Sequence, residues 1–526
     1  MAGPPQPAAG FRDGKRRGYG SRMSSAPTGN LASLAAAVLQ PGFVGTTPPP
    51  WILRWLGEGL GSVVLFARNI VDPDQVAALT AALRAERPDV LVGIDEEAGD
   101  VTRIESARGS SRPGNLALGA IDDPELTAEV ARDLGRELAS VGVTLNFAPD
   151  ADVNSNPDNP VIGVRSFGSD PALAARHTAA WVAGLQDGGV AACAKHFPGH
   201  GDTRVDSHHD LPRIGGTRQR LDAVELVPFG AAVAAGAQAV MTGHLLVPAL
   251  DPELPATLSP RILGGLLREE MGFQGLVVTD AIEMRAVAGR YGFAGAAVRA
   301  LAAGADAICV GGERADEDAA SELRAAIVAA VLSGELPEER LAEAAKRVAQ
   351  LAAWTVAARA GAPTRPAGSP DGSPVGLAAA RRALRVTAGA PGPSATLPLA
   401  AAPHVVEFAP PRNIAIGAET PWGVAAPLAD LLPGTTSVRL GAADLPAEPA
   451  AGAAGRPLVL VVRDLHRHDW MRAAVRDALA VRPDAVVVEL GVPALVTGAV
   501  HVATHGATRA CARAAAELLA GAVRRP

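Results

Sequence analysis

Seven short apolar segments, spaced by longer stretches of helical character, run through the first 360 residues of this 526-residue chain. They are Gly61–Phe66, Val90–Ile94, Val143–Phe147, Val190–Ala194, Ala239–Thr242, Leu276–Thr279 and Ala307–Val310, with Val76–Ala85, Pro124–Val141 and Pro171–Asp187 among the helical stretches between them. Strands separated by whole helices cannot pair as tight hairpins, so the repeat calls for a parallel sheet, either closed into a barrel or open and doubly wound. The residues that follow the strands separate these two cases. Asp95, Asp150, Lys195, His244, Asp280 and Gly311 each fall just after a strand. A barrel brings every strand end to one mouth, whereas an open sheet gathers them only at a switch point. The expected fold is therefore α/β, with a TIM-type (β/α)8 barrel over residues 30–360.

A change of composition follows. Residues 361–374, GAPTRPAGSPDGSP, are rich in Pro, Gly and Ser and read as a linker. Residues 375–526 then read as a smaller three-layer α/β sandwich domain. Its expected strands are Val405–Phe408, Pro457–Val462 and Ala485–Leu490, and its helices include Met471–Val481 and Arg509–Leu519. It has no Gly-rich dinucleotide fingerprint, and no cofactor is expected. Its His466, His468, His501 and His505 read as surface or capping residues. Residues 1–29 read as a disordered tail, with Met23 as an alternative start. Lys15-Arg16-Arg17 before the apolar run Leu31–Leu39 imitates a secretory signal, but the run is short, far from Met1 and contains Ser33.

A hydrophobic fraction of 48% supplies enough apolar material for two cores, and a net charge of −7 argues against nucleic acid as the main partner. No stretch approaches the roughly 18 uninterrupted apolar residues of a membrane span. Cys193, Cys309 and Cys511 lie far apart in apolar surroundings, lack any metal-ligand spacing, and read as reduced core residues of a cytoplasmic protein. The sequence leaves the oligomeric state open.

The densest chemistry lies at Lys195-His196-Phe197-Pro198-Gly199-His200-Gly201-Asp202-Thr203, followed by Asp206-Ser207-His208. An apolar strand that runs into Lys-His needs partners for those groups, since unpaired charge is costly away from water. Pro198, Gly199 and Gly201 let the chain turn sharply and keep the side chains near one point. A metal is one use for so many imidazoles and carboxylates: His196, His200, His208 and His209 are candidates. His-x3-His is a ligand spacing on a helix, but Pro198 and Gly199 lie inside it and exclude a regular helix. No metal is expected.

The string KHFPGHGDT-x-x-DSH resembles the signature of glycoside hydrolase family 3, in its bacterial β-N-acetylglucosaminidase branch. DEEAGDVTR (Asp95–Arg103), NFAPDADVN (Asn146–Asn154), NPVIGVRSFG (Asn159–Gly168) and VVTDAIEM (Val277–Met284) resemble further motifs of that family, in order. The resemblance implies a retaining exo-β-N-acetylglucosaminidase acting on terminal β-linked N-acetylglucosamine of peptidoglycan or chitin fragments. It implies Asp280 as nucleophile, a role that the residue alone shares with helix N-capping before Ala281–Val287. It implies His208 as acid/base with Asp206 as its orienting partner, and His209 as a flanking residue. Asp95, Arg165, Lys195 and His196 are expected to bind sugar, and Arg103 to bind it or to anchor Asp95 or another carboxylate at the mouth. His200 is expected to shape its loop. Two departures stand out: the family commonly has Gly-Gly-Arg at Ala98-Gly99-Asp100, and Ala-Pro-Val-Ala-Asp at Ala148–Asp152, where this chain has Asp150. A histidine acid/base carries no negative charge, so a β-N-acetylglucosaminide phosphorylase is an alternative on the same fold, as is a β-glucosidase. A metal-dependent hydrolase and a sugar-binding protein without activity are remoter readings.

Overall fold

The computed structural model describes residues 28–203, 211–361, 372–388, 397–411, 413, 415–417, 420–446 and 448–523. The expected tail therefore lies outside it up to residue 27, as do residues 362–371 of the expected linker. Among the described residues eight strands precede residue 361: β1 (Leu39–Pro41), β2 (Ser62–Leu65), β3 (Leu91–Ile94), β4 (Leu145–Asn146), β5 (Ala191–Phe197), β6 (Ala239–Thr242), β7 (Leu276–Thr279) and β8 (Ile308–Val310). β2 to β7 form one parallel sheet in chain order. A parallel bridge from Val278 to Ala307 carries it toward β8, and β8 pairs in parallel with β1. Among the described residues β1 and β2 share no ladder; the Ser62 hydroxyl donates to the Leu39 carbonyl across that gap at 3.1 Å.

Alternation along these strands divides their side chains between two buried layers. Val63, Val92, Ala192, Val240, Val277 and Ile308 pack outward against helices. Val64, Leu91, Leu145, Cys193, Met241, Val278 and Cys309 meet in a second cluster, closed off by Val348, Leu351 and Ala352 of helix Glu338–Gly361. Gly93 belongs to this inner layer because a Cβ there would lie 3.0 Å from the Phe147 ring. Three of the outer helices begin at an Asp-Pro pair. Asp72, Asp123 and Asp170 accept backbone N–H bonds from the first turn, and the following proline loses nothing at a position without a helical donor bond.

The sequence expectation differs from the structure in three places. β1 was not foreseen, because its three residues lie between helix Thr28–Ala37 and a Pro/Gly-rich turn and carry no alternation. β4 is only two residues long. β5 runs through Lys195 and His196 to Phe197 instead of ending at Ala194. The extension has a partner: Ala151 N donates to the Lys195 carbonyl and Lys195 N to the Pro149 carbonyl, at 2.7 and 3.1 Å.

The remaining strands are β9 (Arg385–Ala388), β10 (His404–Phe408), β11 (Thr436–Leu440), β12 (Leu458–Val462), β13 (Val486–Glu489) and β14 (Val500–Ala503). They form a second sheet in the order β11-β10-β12-β13-β14-β9, parallel except for β9. Both faces are buried. Val405, Val459, Val461, Val486 and Val488 face helix Arg509–Ala520, and Val406, Leu458, Leu460 and Val487 face helix Asp469–Val481. The exposed edges β9 and β11 were not foreseen; their polar, outward residues give no apolar run. The expected linker also ends early, since Ser373 caps helix Pro374–Ala383 by accepting from Gly376 N.

Candidate functional site

The loops after β3 and β4 and the end of β5 bring seven titratable side chains into one largely buried chain of contacts. Lys195 Nζ lies 2.6 Å from Asp95 Oδ1 and 2.7 Å from Glu97 Oε1. Arg165 grips Glu97 with two parallel bonds, Nε to Oε2 at 2.9 Å and Nη2 to Oε1 at 2.8 Å, and its Nη2 is 3.6 Å from Asp150 Oδ2. His196 Nδ1 is 2.7 Å from Asp152 Oδ2, and its Nε2 is 3.4 Å from Arg165 Nη2. Lys195, Glu97, Arg165 and Asp152 are almost wholly enclosed, while the Asp95 carboxylate keeps 27% of its side-chain surface. Asp95 is thus the end of the network that reaches open space. Lys195 takes one of its oxygens and leaves the other for a ligand hydroxyl.

Backbone contacts fix the turns that carry these groups. Asn146, at the end of β4, accepts from Glu96 N and donates to Glu96 O, at 2.9 and 2.7 Å. Glu96 turns the other way and accepts from Thr102 Oγ1, Arg103 N and Ile104 N, closing the loop after Asp95. Asp152 Oδ1 accepts from His196 N and His200 N, which folds the turn after β5 back over it. Gly199 sits at φ +126°, and a Cβ on Gly201 would lie 1.6 Å from the Val153 carbonyl, so neither position admits a side chain. The His200 ring bonds Thr203 Oγ1 at 2.8 Å and holds its own loop.

Electrostatics follow from enclosure. Burial works against the Glu97 charge, but Arg165 and Lys195 outweigh it and hold the carboxyl below its usual range. Burial likewise opposes the Lys195 ammonium, which Asp95 and Glu97 hold above its usual range. Burial, then the neighbouring Arg165, lowers His196 to about 4. His196 is therefore neutral at pH 7, and its contact with Asp152 is a hydrogen bond donated by Nδ1 rather than an ion pair. Burial and Asp152 push Asp150 up to about 8, and burial pushes Glu96 to about 7.

Asp280 follows β7. Its backbone N donates to the Thr242 carbonyl, and its Oδ1 accepts from Ala281 N at 2.8 Å. The next helix begins only at Arg285, so Asp280 caps no helix. Its charge reaches His196, which ties it to the same mouth. Arg103 departs from the anchoring role expected of it: its guanidinium donates to the Thr102 and Ala415 carbonyls, at 3.4 and 3.1 Å, and Lys195 is the cation on Asp95. Asp206, His208 and His209 lie outside the described residues.

Sequence reasoning missed Glu97 and Asp152 as members of the network. Each stands two positions after a residue already singled out, Asp95 and Asp150. Carrying the strand alternation past the end of β3 reaches Glu97; Asp152 lies beyond the two-residue β4 and out of phase with Leu145, so its signal is only the Asp-x-Asp spacing from Asp150. Among the described residues, Asp150, Asp152 and His196 alone bring three metal-type ligand atoms within 4.8 Å of one another. Most of their donors are already engaged: Asp152 by His196 and two backbone N–H groups, and Asp150 Oδ1 by Asp152 N, while Asp150 Oδ2 has no hydrogen-bond partner among the described residues and faces the Arg165 guanidinium at 3.6 Å. The trio does not fit a divalent cation, which would have to sit against a guanidinium.

Comparison with known proteins bears on this arrangement. The glycosyl hydrolase family 3 N terminal domain matches residues 55–351. The chain is 35% identical over 331 residues to beta-hexosaminidase A of Pseudoalteromonas piscicida, covering 58% of this chain and 55% of that one. The chain thus spans about half the length of that relative. It is 40% identical over 235 residues to a beta-hexosaminidase of Alkalilimnicola ehrlichii, covering 44% and 67%. A solved glycoside hydrolase family 3 beta-N-acetylglucosaminidase from Paenibacillus sp. str. FPU-7 aligns with a TM-score of 0.82 at 34% identity, over 94% of this chain and 97% of that one. The beta-glucoside phosphorylase BglX shares the fold, with a TM-score of 0.75 at 18% identity over 94% and 92%.

Proposed function

Since the chain belongs to glycoside hydrolase family 3, we propose that it is a retaining exo-β-N-acetylglucosaminidase that removes terminal β-linked N-acetylglucosamine from peptidoglycan or chitin fragments. One observation carries the reading: the buried Lys195–Glu97–Arg165 network ends on a half-open Asp95 at the same mouth as Asp280. Such a mouth suits a small, hydroxyl-rich, uncharged ring. Asp95 accepts sugar hydroxyls, and Arg165 and Lys195 keep Glu97 ionised. The names of the relatives above support the hexosaminide.

In this reading the Asp280 carboxylate attacks the anomeric carbon, and the glycosidic C–O bond breaks as its oxygen takes a proton from His208. The glycosyl-Asp280 ester is then opened by water, which gives its proton to His208. Asp206 favours the charged imidazole and orients it. The eight strands before residue 361 form the (β/α)8 barrel of this catalytic unit, and residues 375–526 form the sandwich domain beside it. Three buried, unpaired cysteines support a reducing compartment such as the cytoplasm. Among the described residues no helix is long and apolar enough to cross a membrane.

A mechanism-based fluoro-sugar of the N-acetylglucosamine series is expected to label a peptide containing Asp280. A chromogenic β-N-acetylglucosaminide is expected to be hydrolysed, faster than the β-glucoside and without need of phosphate. Labelling elsewhere sinks the nucleophile assignment; a sugar-1-phosphate product formed only with phosphate replaces the hydrolase by a phosphorylase. His208→Ala is expected to lose about 10²–10⁴ in rate on substrates with poor leaving groups, less on nitrophenyl glycosides, and to be rescued by azide. Equal losses on every substrate, without rescue, assign the proton elsewhere.

A further inference from the structure

One opening beside the network is not made by the first sheet's loops alone. A cavity of about 360 Å³ lies between the Asn159–Arg165 loop and the second sheet's loops, with Arg165 on one wall and Arg463, Asp464, Arg467 and His468 on the other. The two walls are tied together: Asn413 Nδ2 donates to the Val161 carbonyl at 2.7 Å, and the His466 ring bonds the Pro157 carbonyl at 2.9 Å. The cavity is large enough for a sugar ring, and Arg165 of the network lines it.

Most of its charged groups are already committed. Arg165 serves Glu97, and Arg463 serves Asp100 at 2.6 Å. Asp464 Oδ1 accepts from Val492 N at 2.9 Å, which turns that carboxylate toward the neighbouring turn. Its backbone is pinned by Glu489, whose oxygens accept from Asp464 N, Leu465 N and Gly491 N. Arg467 is different. Its backbone N donates to the Asp464 carbonyl, but its half-buried guanidinium makes no hydrogen bond or ion pair with any described residue. A pinned loop thus presents a guanidinium without a hydrogen-bond or ion-pair partner among the described residues to a cavity whose other wall holds Arg165.

We propose that Arg467, with His468 beside it, is a specificity-determining residue that takes an oxyanionic group in this cavity. The group is either a carboxylate on the leaving portion of the substrate or free phosphate. The proposal rests on the hydrolase reading above and names the substrate class of that same site. A planar guanidinium with all its donors free matches a carboxylate or phosphate in a forked geometry.

The full chain is assayed with two aryl β-N-acetylglucosaminides, one with a neutral and one with a carboxylate-bearing leaving group. Comparing the ratio of their kcat/KM values between each variant and the wild type cancels intrinsic differences between the leaving groups. That ratio is expected to fall about tenfold or more in Arg467→Ala and to be partly restored in Arg467→Lys. Binding of inorganic phosphate is measured separately by calorimetry on both variants and on the wild type. A fall in the ratio places the anion on the aglycone. An unchanged ratio, with phosphate binding lost in Arg467→Ala, makes free phosphate the ligand. If neither moves in either folded variant, the proposal is overturned. A wild type that cleaves neither glycoside but binds phosphate through Arg467 refutes the hydrolase reading and keeps the anion site.

Discussion

Both sheets place buried acids at the ends of parallel strands, and the two treat them differently. At the strand ends of the first sheet Glu97 is met by the side chains of Lys195 and Arg165, and Asp152 by the His196 ring together with the backbone N–H groups of His196 and His200. In the second sheet Glu489, at the end of β13, is met by three backbone N–H groups, two of them from the loop after β12. Burial, and Asp464 after it, push Glu489 up to about 8, so it holds a proton at neutral pH. Glu97 stays ionised in equal burial because full cations face it. A carboxyl met by backbone shapes a loop. A carboxyl met by cations keeps charge available where a ligand arrives. The difference leaves an ionised Glu97 at the first sheet's strand ends and a protonated Glu489 at the second's.

The largest effect that can break this contrast is at Asp280. Asp280→Ala is expected to lower kcat/KM on a chromogenic β-N-acetylglucosaminide by about 10⁴-fold or more, with the melting temperature little changed. Substantial residual activity removes the mouth from the chemistry. Glu97→Gln comes next. It leaves Lys195 and Arg165 enclosed with their shared anion gone, a loss of about 3–5 kcal/mol of stability by chemical denaturation, together with activity. A mild loss means that water reaches these cations.

The seam between the sheets sharpens the contrast at smaller amplitude. Asp100, where the family commonly has arginine, pairs with Arg463 at 2.6 Å and accepts from Ala507 N at 2.8 Å. Arg463→Ala is expected to destabilise the chain by about 1–3 kcal/mol, since Asp100 keeps only its backbone partner. If melting splits into two transitions, this pair couples the two units.

The smallest effect is at Glu489 and concerns pH. Its folded value, about 8, lies above the 4.5 of an ordinary glutamate. Between these values the unfolded carboxyl has lost its proton while the folded one keeps it. Its contribution to stability is thus complete below pH 4.5 and fades as pH rises toward 8. Glu489→Gln is expected to lose about 1 kcal/mol at low pH and to flatten the decline in melting temperature between pH 5 and 8. A variant whose decline matches the wild type contradicts the assignment.

Much of this site was legible because strand ends carry it. Asp95, Lys195, His196 and Asp280 follow or end apolar runs, and the strand alternation, carried further, reaches Glu97, while Asp152 is marked only by its spacing from Asp150. What stayed hidden has no local signal. β1 is three residues without a pattern, and β9 and β11 are polar edges. Arg103 looked like an anchor for Asp95 because it is close in sequence, yet its guanidinium turns to Ala415.

The sequence by itself determined the repeating β–α order, the helix starts at Asp-Pro, the glycines of the turn after β5 and the list of acids and bases that chemistry can draw on. These follow from backbone preference and periodicity, which act over a few residues. Tertiary structure alone decided which cation faces which carboxylate, and therefore which acids stay charged. It also decided that residues some 300 positions apart, Arg165 and Arg467, share one cavity. Such choices depend on burial and on distance in space, and neither is written in the spacing of residues along the chain.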